Sequence, residues 1–223
     1  MTVSSDWSKD LNKIPGKKVE VIHNGYDPAD FEGLTASPGS SFSIAHFGAF
    51  NRDRNPAVLW KILAMLAEEN KSFKEKLCIR LIGQTDDSVI RDIAKNGLEN
   101  NLIQTYHLPH KQGLEELAQS QVLLLPINDA PNAKGILPGK MYEYMALKRP
   151  ILAIGPTDSD FAKILCETKS GVAIDFNDSV GMREILENYF RLFLDGKLRI
   201  KSSSVENYSR KNLAQKFIDL AGD

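Results

Sequence analysis

From about residue 40 to residue 195, short apolar runs rich in β-forming residues alternate with helix-length amphipathic segments. The runs are "FSIAHF", "LCIRLIG", "LIQTYHL", "QVLLLPI", "PILAIG" and "GVAIDF". The segments between them are "PAVLWKILAMLAEEN", "DDSVIRDIAKNG", "GLEELAQ", "GKMYEYMALK", "DSDFAKILCE" and "SVGMREILENYFRLFL". Asn55 is the expected cap of the first helix and Pro56 its first residue. This alternation predicts an α/β domain over residues 39–200, a doubly wound parallel sheet of Rossmann-like type with helices on both faces.

Two segments stand outside the alternation. Residues 1–38 hold one strand-like run, "KKVEVIHNG", followed by "YDPADF" and the loose "EGLTASPGSS". Residues 201–223 read as a serine-rich hinge and a final amphipathic helix. One loop, "INDAPNAKGILPG", also stands out. It runs without periodicity well past the usual ~4 to 6 residues, and such loops in compact domains are often functional.

Composition narrows the field without selecting a function. The 223 residues carry 28 basic and 29 acidic side chains, a formal charge of −1, so the chain is no general polyanion binder and no nucleic-acid partner is expected. Any cationic site must be local. Cys78 and Cys166 lie far apart among apolar neighbours, which predicts reduced core thiols and a reducing, cytoplasmic setting. No run approaches the roughly 18 to 20 apolar residues of a membrane span, and "MTVSSDWSKD" has none of the regions of a signal peptide.

In a doubly wound sheet, ligands bind at the carboxyl ends of the strands. The residues there are "GAFNRDRN" from Gly48, "GQTDD" from Gly83, "HLPH" with His107 and Leu108, the loop up to Lys140, and "GPTD" from Gly155. Glycines at 48, 83 and 155 let a ligand or helix terminus approach the backbone, or merely turn a strand into a helix. No GxGxxG fingerprint is present, which argues against a nicotinamide dinucleotide. Arg52 and Arg54 beside a helix start form either a pyrophosphate clamp or a solvated pair, with Asp53 available to its neighbours. His107, His110 and His23 lack the company that a metal site needs, so no metal is expected.

"KGILPGKMYEYMA" is the richest element. A helix beginning at Pro138 or Gly139 would present the free amides of Gly139, Lys140 and Met141 to the crevice. Met141 and Met145 would anchor it on the core side. Glu143, three residues from Lys140, would either pair with that lysine or accept hydrogen bonds from a ligand's hydroxyls, and a vicinal diol suits a carboxylate there.

The order of these pieces, "VEVIHNGYDPADF", "IAHFGAFNRDRNPAVLWKIL", "IRLIGQ" and "VLLLPINDAPNAKGILPGKMYEYMALKRPILA", resembles the C-terminal, donor-binding half of group 1 glycosyltransferases of GT-B fold. The likeness covers nearly all of residues 19 to 176. It implies a nucleotide-sugar donor held between two Rossmann-like domains, with transfer to an acceptor hydroxyl, retention at the anomeric carbon, no metal, and polysaccharide biosynthesis as the setting. Asn24, Gly25, Asp27 and Phe31 look like the family's interdomain linker. Arg54 falls at a basic position that contacts the donor diphosphate. The family's arginine after the strand glycine is here Ala49, which leaves Arg52 or Lys140 as substitutes. Glu143 matches the second glutamate of the Glu-x7-Glu motif, the ribose binder, whereas the first falls at Gly135, beside Lys134.

The resemblance therefore implies Arg54 and Lys140 as the catalytic cations. It places the donor against Gly48, Arg52, Gly83, His107, Leu108, the run Lys134, Gly135, Ile136, Leu137, Pro138, Gly139, and then Lys140, Met141 and Glu143. It also implies that the chain is part of a protein about twice as long. Residues 1–38 would be the end of an N-terminal acceptor domain plus the linker, and residues 201–223 a helix returning toward that domain, which would make any peripheral membrane contact. Two other readings remain open: a nucleotide-sugar 2-epimerase-like enzyme of the same architecture, and a non-catalytic Rossmann-like binding module.

Overall fold

The computed structural model of the chain describes residues 1–16 and 18–221. Six strands form one parallel sheet: β1 (Phe42–Phe47), β2 (Leu77–Ile82), β3 (Leu102–Thr105), β4 (Val122–Pro126), β5 (Ile151–Ile154) and β6 (Gly171–Ile174). Their order is β3-β2-β1-β4-β5-β6. The chain builds outward from β1 to β3, then returns to the other side of β1 and builds outward again. The reversal between β1 and β4 opens a crevice at their carboxyl ends, as in dinucleotide-binding folds.

The helices are α1 (Ser5–Leu11), α2 (Ala57–Glu69), α3 (Lys71–Lys76), α4 (Asp87–Lys95), α5 (His110–Ala118), α6 (Gly139–Ala146), α7 (Asp160–Glu167), α8 (Ser179–Leu194) and α9 (Arg210–Ala221). Two cores lie on opposite faces of the sheet. Ile44, Val122 and Leu124 point into one with Leu59, Leu63 and Phe190, while Ala45, Leu123 and Leu125 point into the other with Leu114, Met141 and Phe161. Successive side chains of a strand face opposite ways, so β4 is buried along its length. Each such buried leucine or isoleucine stabilises the fold by about 1.5 to 3 kcal/mol.

All six expected strands form, and β3 stops short, which leaves His107 and Leu108 in the loop beyond it. Three expectations change and one helix was not expected. Asn55 does not cap α2; its amide Oδ1 accepts from Trp60 Nε1 at 2.7 Å and its Nδ2 donates to Asp92 Oδ2 at 2.6 Å, so Pro56 takes the cap position. The strand-like run over 17–25 makes only an isolated bridge, Val21 to Thr2, because Asn12 and Ser8 take the amide and carbonyl of Val19; Lys17 lies outside the described residues. Cys166 is exposed and Cys78 half-buried, since Cys166 faces outward from α7 while Ile164 and Leu165 face the core. Both thiols are free, and burial pushes that of Cys78 up. Finally, α3 has no apolar period to announce it; it forms because the Asn70 side chain caps Phe73 N.

The two outer segments meet each other. Tyr26 N donates to Tyr208 O at 3.1 Å and Arg210 N to Tyr26 O at 2.8 Å. Gly25 permits this approach, for a Cβ there would lie 2.2 Å from Tyr208 O. Asp27 caps the short 3-10 turn Pro28–Phe31 through Ala29 N at 3.0 Å. No helix among the described residues is long and apolar enough to cross a membrane.

Candidate functional site

The crevice between β1 and β4 is shaped first by two glycines. Gly48 (φ +104°) and Gly83 (φ +114°) end β1 and β2 in a conformation that L side chains rarely adopt. A Cβ on Gly83 would stand 2.8 Å from Gly48 O, and one on Gly48 would stand 3.1 Å from Lys140 Nζ. The bare backbone at 48 is thus the floor over which the Lys140 ammonium sits.

Lys140, in the first turn of α6, reaches across the crevice to β1. Its Nζ donates to Phe47 O at 2.9 Å and stands 3.2 Å from His46 Nε2. His46 is buried, with Nδ1 3.0 Å from Leu124 O. Burial, and then the nearby charges of Lys140 and Arg54, push the His46 imidazole down to about 3, so it is neutral. Burial and then Arg54 push the Lys140 ammonium down to about 8, with Glu143 opposing.

Arg54 ends the 3-10 turn Arg52–Arg54 after β1, and its Nε donates to Asn128 Oδ1 at 2.5 Å, beyond the end of β4. The two cations therefore flank the point where the sheet reverses. Among the described residues neither makes an ion pair. Arg52 is exposed, and its charge is felt by Asp86.

α6 begins with Pro138 in the cap position and no side-chain cap. The amides of Gly139 and Lys140 have no acceptor among the described residues. That of Met141, expected to be free, donates to Pro138 O at 3.0 Å, because the first turn tightens around the proline carbonyl. Met141 and Met145 are fully buried, as their spacing requires. The Tyr144 hydroxyl accepts from Phe47 N at 2.9 Å and so fixes the end of β1 against α6; burial pushes its pKa up.

Glu143 does not pair with Lys140, which is committed to β1. Its Oε1 meets His110 Nε2 at 3.1 Å, and the same glutamate borders a cavity of about 550 Å³ with Gly139, His23, Asn24, Arg210 and Phe217. His110, at the start of α5, is half exposed, so this contact is easily exchanged.

At the other end of the stretch, Gly135 is buried under an indole. A Cβ there would lie 2.2 Å from Trp7 Nε1 and 2.4 Å from Trp7 Cδ1. α1 is held in this position by Asp160, whose Oδ2 accepts from Ser4 Oγ at 2.8 Å and Asp6 N at 2.9 Å. Lys134 turns outward to Asp158 Oδ2 at 2.5 Å, Leu137 is buried and Ile136 half-buried. No group of three or more metal-ligating side chains occurs among the described residues.

The fold thus brings together Gly48, Gly83, Arg54, Lys140, Gly139 and Glu143. It leaves Arg52, Lys134, His107 and Leu108 at the margin. Sequence reasoning missed His46, Asn128, Tyr144, His110 and Trp7 as members. His46 carried a weak signal, a titratable residue in a largely apolar strand two positions before Gly48; Trp7 and Asn128 carried none, since their partners are distant in sequence.

No protein-family model and no curated protein matches the chain. Solved structures do. A glycosyltransferase from Rickettsia africae superposes with a TM-score of 0.72 at 15% identity, over 98% of this chain and 61% of that one. WaaG, a glycosyltransferase involved in lipopolysaccharide biosynthesis, gives 0.69 at 15% identity over 99% and 61%. A variant of S. aureus TarM in complex with Fondaparinux, alpha-GlcNAc-glycerol and UDP gives 0.67 at 16% identity over 98% and 43%. The chain has the α/β Rossmann-like fold that these proteins contain, and it spans less than two thirds of each.

Proposed function

We propose that this chain is the donor-binding half of a glycosyltransferase, taking a nucleoside diphosphate sugar and passing the sugar, with retention, to an acceptor hydroxyl held by another domain. The observation that carries this reading is the pair of unneutralised cations, Lys140 and Arg54, at the sheet reversal. Two like charges close enough to add to the depression of Lys140 by burial cost free energy, and an anion between them removes that cost. The unpaired amides of Gly139 and Lys140 add donors of the same polarity.

In this scheme the diphosphate lies across Arg54 and Lys140 above Gly48, the ribose hydroxyls replace His110 on Glu143, and the base extends toward His107 and Leu108. As the glycosidic bond breaks, charge grows on the departing phosphate. The fixed cations and amides neutralise it without reorganising. Nothing in the scheme requires a metal. Residues 1–38 and the segment that leads into α9, which touch at Tyr26, Tyr208 and Arg210, would then join this half to the acceptor domain on the cytoplasmic side. The UDP bound to the TarM variant makes UDP the first nucleotide to try.

Calorimetric titration of the chain with UDP, GDP and ADP tests the reading. One of them binds, and Lys140→Met weakens that binding roughly 10- to 100-fold; absence of binding by all three defeats the proposal. The indole over Gly135 favours a second reading, a module that binds nucleotide without transferring sugar. Donor turnover by the chain joined to an acceptor domain separates the two.

A further inference from the structure

We propose that His46 is a positioning residue: its Nε2 lone pair holds the Lys140 ammonium in the seat that faces the anion. The inference rests on the donor-binding reading for its consequence, and on the geometry of the crevice floor for its substance.

The tautomer follows from the partners. Leu124 O can only accept, so the proton of the neutral ring is on Nδ1, 3.0 Å away. Nε2 is then bare, and the group it faces at 3.2 Å is a donor, Lys140 Nζ. Phe50 packs on the ring with centroids 4.6 Å apart, and the residue is buried, so the imidazole has little freedom to turn. A histidine kept only to fill the core would be satisfied by Leu124 and would need nothing polar at Nε2.

The charged groups around the pair support the assignment. Lys140 is faced by His46 and the Phe47 carbonyl from β1, by Arg54 from the turn after β1, and by Glu143 on its own helix. His46 is faced by Lys140 and Arg54, and by the carbonyls of Leu124 and Ala49. Two cations and burial keep the ring neutral, hence an acceptor, throughout the physiological range. A lysine has a long flexible stem, and holding its ammonium on two acceptors before ligand arrives removes much of the ordering cost of binding.

Two near-isosteres divide the ring's functions. His46→Asn keeps an N–H near the Nδ1 position for Leu124 and removes the acceptor facing Lys140; His46→Gln keeps an acceptor near Nε2 and gives up the Leu124 bond. Two readouts apply to the full chain: the titration of Lys140, followed by NMR with ¹³C-labelled lysine, and calorimetric affinity for UDP. In His46→Asn the Lys140 midpoint falls by about half a unit or more and UDP binds about tenfold more weakly. In His46→Gln both stay close to the parent values, whatever the change in melting temperature. The proposal is overturned if the Lys140 midpoint is the same in His46→Asn as in the parent, or if Gln is the more damaging substitution. The NMR arm needs no nucleotide, so a chain that binds none defeats the donor-binding reading while the seat is still judged by Lys140.

Discussion

The stretch from Gly135 to Glu143 ends in two different environments. At Glu143 a carboxylate borders an open cavity and is held by one half-exposed histidine. At Gly135 the backbone is sealed by the Trp7 indole, and no side chain of any kind fits. Between them Lys140 is seated on β1. In the proposed reading one end exchanges its partner for a ligand, while the other is closed by packing from a segment more than a hundred residues away in sequence. On that reading a single short motif is half site and half interface, and a resemblance that covers the whole of it is carried by only one of its two glutamate positions.

The largest effect falls on the cation between the two ends. Lys140→Met removes charge-assisted hydrogen bonds worth about 1.5 to 3 kcal/mol, so UDP affinity drops roughly 10- to 100-fold in calorimetry, with the melting temperature little changed. The same residue gives two pH effects of opposite sign. Its pKa is pushed down from 10.5 to about 8 in the folded chain. Above about pH 8 the free site loses its charge and UDP affinity falls. Between about 8 and 10.5 the unfolded chain binds more protons than the folded one, so this group's contribution to stability rises with pH, by at most ~1.4 kcal/mol per unit. Affinity and denaturation measured over pH 7 to 10 should diverge in the parent and run flat with respect to this group in Lys140→Met.

The closed end is broken by Gly135→Glu. The new Cβ would overlap the indole, and overpacking of this kind costs about 1 to 3 kcal/mol in chemical denaturation. Trp7→Ala in the same chain should restore most of that loss. If Gly135→Glu alone is neutral, Trp7 does not seal the motif, and the contrast between the two ends collapses.

What the sequence made legible follows from how far each signal reaches along the chain. The six strands and most helices were legible because their period is local: Leu59, Trp60, Leu63 and Leu66 repeat on one face of α2. Arg54 was legible as a candidate because it follows a strand end, and Lys140 and Glu143 because they open the helix after a long unpatterned loop and, for Glu143, because it matches the family's motif. Their partners were not. His46 holding Lys140, Asn128 holding Arg54, and Trp7 covering Gly135 are contacts between residues 74 or more positions apart, made by side chains whose type has other uses. The same limit explains Asn55, a good cap by residue type that the fold assigns instead to Trp60 and Asp92.

The open end yields the two smaller effects. Glu143→Gln keeps shape and removes charge, so a ribose diol loses a charge-assisted partner and UDP binds about tenfold more weakly. A nucleotide lacking both ribose hydroxyls should bind the parent and Glu143→Gln alike, which separates ribose recognition from a general loss of fold. His110→Ala goes the other way. If the histidine only occupies the carboxylate until ligand arrives, its removal ends a competition between partially exposed groups worth about 0 to 1 kcal/mol, and UDP affinity rises by no more than about fivefold. A fall in affinity instead would mean that His110 touches the ligand itself, and Glu143 would then be one half of a paired recognition element rather than a carboxylate waiting for its diol.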